Sequence, residues 1–294
     1  MSESSKENAG SPAAGFSARP VLAFVAFTAV FAALAYYFVI EHGLRRYYVA
    51  LLMWSPGLAV LACSRLGLID LKSIGWRWPS SGSMAMSYLL PALYGLVAYL
   101  IIWVGGFGGL LDAKFTQEVS YFLGLDGWSE GATVAFGIVM FGSVGMIWHT
   151  ATALGEEIGW RGFLTPALMA RYSFPVTSLI VGLAWALWHV PLITQTSYNA
   201  GPSGLEFQLL NFTVMTVGIS FIMTYYRLVT DSVWPAVIMH ASHNIYVLTI
   251  MQPMTIQYRE SWRYVSEFGF ILPVVVLLVG LFFWRKAKKD GITG

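Results

Sequence analysis

The sequence predicts an all-α polytopic membrane protein, a bundle of about eight transmembrane helices. Two observations carry this reading. Hydrophobic residues make up 57% of the 294 and charged ones only 11%, a balance that no water-soluble domain keeps. Apolar runs of spanning length also recur along the whole chain, at residues 21–40, 47–63, 84–104, about 132–169, 175–193, 207–225, 233–251 and 268–284.

The runs can be justified in order. Residues 1–20 are rich in Ser, Ala, Gly, Asn and Pro and read as a disordered cytoplasmic tail. The 21–40 run exceeds a signal-peptide core, and Glu41 to Arg46 beyond it make a poor cleavage site, so it reads as a retained span. The 132–169 run is too long for one straight crossing; it is tilted, broken near Gly142 or Gly145, or partly outside the bilayer. Residues 66–79 mix Arg77 and Lys72 with Trp76 and Trp78, which suits headgroup level. Residues 105–131 carry Asp112, Glu118, Asp126 and Glu130 and read as a solvated loop. The bundle covers 21–284, its catalytic core about 132–251, and 285–294 form a basic cytoplasmic tail.

Basic residues set the orientation. With the N-terminus inside, the inner segments hold Lys6, Arg19, Arg65, Lys72, Arg77, Arg161, Arg171, Arg227, Arg285, Lys286, Lys288 and Lys289. The outer loops hold Arg45, Arg46, Lys114, Arg259 and Arg263. Twelve against five places both termini in the cytoplasm. A net charge of +2 provides no footprint for nucleic acid, and the lone Cys63 excludes an internal disulfide and a cysteine-based zinc site. Cys63 reads as packing.

Polar groups inside the runs locate the chemistry. Gly155-Glu156-Glu157-Ile158-Gly159-Trp160-Arg161 puts three charges in an apolar stretch, each costing at least about 2.5–3.5 kcal/mol at bilayer depth. Glu157 and Arg161 are four apart and can pair on one face. Glu156 is turned about 100° away and points elsewhere. His189 follows Trp185 by four, and His240 and Asn244 are also four apart. His149 lies seven before Glu156, nearly on its face; His149 and His243 read as packing or supporting groups, and Trp185 and Trp188 as packing.

Depth ties these groups together. Glu156 and His189 lie equally far from a turn near Tyr172 and Ser173, roughly 20–25 Å at ~1.5 Å per residue. Asn244 lies roughly 18 Å beyond the turn of residues 227–232, and His240 is shallower. A carboxylate and a histidine at one level can hold and deprotonate water. A second histidine and an amide can bind an oxyanion. Glu156, His189 and His240 could instead hold a divalent metal such as zinc that activates the water, although no His-Glu-x-x-His helix is present.

These residues resemble the CAAX protease and bacteriocin-processing family of intramembrane endopeptidases, also called Abi or CPBP, which includes the type II CAAX prenyl endopeptidases. Its pattern is E-E-x-x-x-R, then F-x-x-x-H, then H-x-x-x-N on successive helices. This chain reads Glu156-Glu157-x-x-x-Arg161, Trp185-x-x-x-His189 and His240-x-x-x-Asn244. The resemblance implies an eight-span bundle with Glu156 as catalytic carboxylate, His189 as its aid, His240 and Asn244 as the oxyanion pair, and Glu157 and Arg161 as support. It implies a peptide or prenylated C-terminal substrate met in the lipid bilayer, and the family often carries the label metalloprotease. Trp185 stands where the pattern has Phe, a change expected to narrow the cavity and alter the substrate more than the activity. The short loops point to a bacterial or archaeal cell membrane. The rival readings are a non-catalytic bacteriocin-immunity or scaffold protein and a proton-coupled transporter.

Overall fold

The computed structural model describes residues 16–292; residues 1–15, which hold most of the expected tail, and 293–294 lie outside the described residues. The architecture is all-α, as composition predicts: in lipid every backbone N–H and C=O must be paired within the segment, and the helix does this. The helices are α1 (Ala18–His42), α2 (Arg46–Arg65), α3 (Ser81–Val104), α4 (Ala113–Leu123), α5 (Glu130–Ser143), α6 (Gly145–Glu157), α7 (Thr165–Met169), α8 (Phe174–Gln195), α9 (Leu205–Thr230), α10 (Trp234–His243) and α11 (Ile271–Lys289). Two π-helical segments, Ile158–Leu164 and Asn244–Met251, continue α6 and α10.

Among the described residues, six stretches are long and apolar enough to cross a membrane: α1, α2, α3, the 40-residue Glu130–Met169, α8 and α9. The other two expected spans are helical but less apolar or less regular. Trp234–His243 passes into a π segment, and α11 ends in Arg285, Lys286, Lys288 and Lys289. The long fourth run is interrupted at Val144, between Gly142 and Gly145.

The solvated loop expected at 105–131 is replaced by more structure. Asp112 caps α4 by accepting from the Lys114 N–H at 2.9 Å. Phe115 and Val119, four apart on one face of α4, pack against Ile245, Ile250 and Met254. Strand β1 (Gly109–Leu110) pairs antiparallel with β2 (Thr255–Ile256), Gly109 opposite Ile256. The i, i+4 apolar pair in α4 was the signal, outweighed by the charges around it.

α9 is the most enclosed span and packs between α8 and α11. α6 lies between α2 and α10, and α3 backs α10. In lipid, close backbone approach replaces the hydrophobic effect as the source of helix association. Gly155 and Gly159, four apart, turn one face of the acidic motif toward α2. A Cβ on Gly155 would lie 2.7 Å from Trp54 Cα, and one on Gly159 would lie 2.4 Å from Pro56 Cβ. The reciprocal contact is Gly57, whose Cβ would meet the Gly155 carbonyl oxygen at 2.7 Å. This crossing commits the glycine face to α2 and leaves the two carboxylates for other helices. Gly155→Ala should therefore lower stability by about 1–3 kcal/mol through overpacking against backbone, read as a lower Tm of the purified protein in detergent. An unchanged Tm would show that the crossing can open freely.

Candidate active site

Glu156 and Glu157 are the last two residues of α6, and both are buried. Their divergence follows from the ~100° step per residue. Glu157 accepts two hydrogen bonds from Arg161 Nη1, at 3.1 Å on Oε1 and 3.0 Å on Oε2, and a third from His240 Nδ1 at 2.8 Å. Arg161 Nη2 donates to Ser220 on α9 at 2.9 Å. Glu156 turns to α8 instead, where Oε2 accepts from Trp185 Nε1 at 2.7 Å.

The π segment beginning at Ile158 loosens the ladder that α6 would otherwise continue, and such segments recur at functional sites. The freed groups find other partners. Thr165 Oγ1 donates to the Trp160 carbonyl at 2.8 Å, and Arg227 Nε donates to the Arg161 carbonyl at 3.0 Å. Arg227, expected in a turn, is a buried residue of α9 that also reaches Asp231 at 2.7 Å and the Ser73 carbonyl at 3.3 Å.

His189 sits one turn beyond Trp185 on α8, and its Nδ1–H donates to the Trp185 carbonyl at 2.9 Å. A carbonyl can only accept, so this bond leaves Nε2 of the neutral ring as an open acceptor. His240 spends Nδ1 on Glu157 and also keeps Nε2 open. Glu156 Oε1 and the Asn244 amide have no protein hydrogen-bond partner among the described residues. Glu156, His189, His240 and Asn244 all line one cavity of about 250 Å³, with Met53, Leu192, Phe212, Met215, Ile219 and Leu248 among its apolar walls.

A second acid–histidine pair stands on the same wall. His243 Nε2–H donates to Glu267 Oε1 at 3.0 Å, and its Nδ1 lies 2.6 Å from the Tyr94 hydroxyl. The Tyr198 hydroxyl donates to Glu267 Oε2. Both nitrogens of His243 and both oxygens of Glu267 are thus engaged by neighbouring side chains, so the pair braces the wall. Sequence reasoning missed Glu267, which reads as a charge flanking the last apolar run; the one available signal was His243 itself, a buried imidazole in need of a partner. His149 shares the face of Glu156 but lines a separate groove with Arg46, Phe115 and Trp148. Seven residues are ~10 Å along a helix, so a shared face is not a shared depth.

Trp185 departs from its expected role as packing: its indole N–H bonds Glu156, and its ring stacks under the Arg161 guanidinium at 4.5 Å. The metal set weighed above does not fit. Among the described residues no three of His, Cys, Asp and Glu are placed to hold a metal ion, and Glu156, His189 and His240 form no such group.

Most of the residues that line the cavity fall in a stretch that known proteins share. A family model described as type II CAAX prenyl endopeptidase Rce1-like matches residues 138–246. The CAAX prenyl protease 2 of Methanococcus maripaludis is 50% identical over 38 residues, which is 13% of this chain. The matched stretch spans only 14% of that relative's length. Glu267 falls outside the 138–246 match, whereas all three motifs fall inside it. Across the segment that carries those motifs, this integral membrane protein is similar to the Rce1-like type II CAAX prenyl endopeptidases.

Proposed function

We propose that the protein is a CAAX-type intramembrane endopeptidase that hydrolyses a peptide bond with water activated by Glu156 and His189. One observation carries the reading: four side chains each leave an open polar end on a single apolar cavity, while the charges around them are paired. A transport pathway needs a polar relay that continues across the membrane. Here the polar ends converge on one cavity.

The chemistry follows from what holds each group. Water between Glu156 Oε1 and His189 Nε2 loses a proton to Glu156, and its oxygen attacks the scissile carbonyl carbon. The carbonyl oxygen becomes an oxyanion bound by His240 and the Asn244 amide. His240 can donate from Nε2 when its ring is cationic, because the Glu157 carboxylate at Nδ1 balances that charge. Glu157 is in turn offset by Arg161, so the buried set Glu156, Glu157, Arg161 and protonated His240 sums to zero. Collapse of the intermediate breaks the C–N bond, and the proton on Glu156 passes to the leaving amine. Water is the nucleophile in each of these steps, and the protein side chains move its protons.

A prenylated C-terminus that loses its last three residues is the proposed substrate, with both termini of the protein in the cytoplasm. Mass spectrometry of products from a farnesylated CAAX peptide, beside its unprenylated twin, tests this with the full chain in detergent. Release of the C-terminal tripeptide by wild type, and not by Glu156→Ala, is expected. No cleavage of either peptide by folded wild type, or equal cleavage by the variant, would overturn it.

A further inference from the structure

The geometry assigns Trp185 as a positioning residue whose indole N–H holds Glu156 in the orientation that leaves Oε1 to the attacking water. This rests on the reading of Glu156 as the base. The indole N–H at 2.7 Å is the sole hydrogen-bond donor to the Glu156 carboxylate among the described residues. A carboxylate buried in an apolar cavity with no donor is costly, and it is free to rotate. One N–H on Oε2 removes both problems and marks which oxygen remains open.

Trp185 also meets the other parts of the site. Its carbonyl fixes the His189 ring, its face lies 4.5 Å below Arg161 Cζ, and its ring is 5.3 Å from that of His240. A phenylalanine here would keep the carbonyl, and a ring could still lie under the guanidinium. It could not supply the N–H. The larger aromatic therefore adds a hydrogen bond to the base, which differs from a mere narrowing of the cavity.

Because the indole N–H is spent on Glu156, its loss should act on kcat and leave KM unchanged. Trp185→Phe is expected to lower kcat about tenfold to a hundredfold on the peptide substrate, as misplacement of a reacting group does. Phenylalanine also leaves a void, so benzothienylalanine at position 185 is the closer probe: it keeps the two fused rings and carries sulfur in place of N–H. It should match the phenylalanine variant in kcat while keeping the wild-type Tm.

A spectrum reads the bond without catalysis. In protein labelled with 15N-tryptophan, one downfield indole N–H resonance should vanish in Trp185→Phe and move upfield in Glu156→Ala. Wild-type kcat in the benzothienylalanine protein, or an indole resonance indifferent to Glu156→Ala, would overturn the assignment. If wild type cleaves no peptide, the proposed function falls, and the resonance still decides whether Trp185 holds Glu156.

Discussion

Glu156→Gln should lower kcat by about 10²–10⁴-fold, the usual worth of a general base, with little change in KM. Glutamine has nearly the size of glutamate, and its oxygen can still accept from the Trp185 N–H. The cavity wall and the 2.7 Å contact are therefore kept, and only the ability to take a proton from water is lost. Alanine would confound that loss with a new void. Single-turnover cleavage of the farnesylated peptide, with Tm measured alongside, separates the two. A glutamine variant that keeps more than a tenth of the wild-type rate would remove Glu156 from the chemistry and return the water to another base.

Arg161→Ala should destabilise the protein by about 3–5 kcal/mol, the cost of stripping one partner from a buried ion pair. Arg161 and Glu157 are both fully buried, and the guanidinium engages both carboxylate oxygens with Nη1 while Nη2 holds Ser220. Removing it leaves the Glu157 charge facing His240 alone. Lysine would restore the charge without the planar fork or the stack on Trp185, so Arg161→Lys should recover only part of the loss. The double change Glu157→Leu with Arg161→Met is the more telling construction. Stability should return close to wild type, because an apolar pair of similar volume replaces a desolvated ionic one. Activity should not return, since His240 has then lost the group that orients its ring and balances its charge. Thermal unfolding in detergent and peptide cleavage give the two readouts; recovery of both would reduce the ion pair to scaffolding.

What was legible in the sequence is what depends on spacing along one helix. The spans were readable because lipid forces internal backbone pairing and an apolar exterior, and both leave a mark on composition. The Glu157–Arg161 pair and the divergence of Glu156 follow from helical rotation alone. Equal distances to a shared turn, which the structure puts between Met169 and Phe174, are consistent with Glu156 and His189 lining one cavity. A break near Gly142 or Gly145 was one of three ways to fit a run too long for one straight crossing, and the structure interrupts it at Val144.

Contacts between helices were decided only in three dimensions. No periodicity links His243 to Glu267, which come from α10 and from the segment before α11. The α4 helix and its apolar face were hidden by surrounding charges, because the partners Ile245, Ile250 and Met254 lie more than a hundred residues away. The same holds for Trp185, where the residue type suggested bulk, and only the tertiary structure brought its N–H on α8 to a carboxylate at the end of α6. Sequence by itself determined an all-α membrane bundle and the helix faces on which its polar groups lie, because backbone pairing and helical pitch are local laws. Tertiary structure decided which of those groups keep an open valence, because the close approach at Gly57, Gly155 and Gly159 sets how near the helices come and thus which donors reach which acceptors.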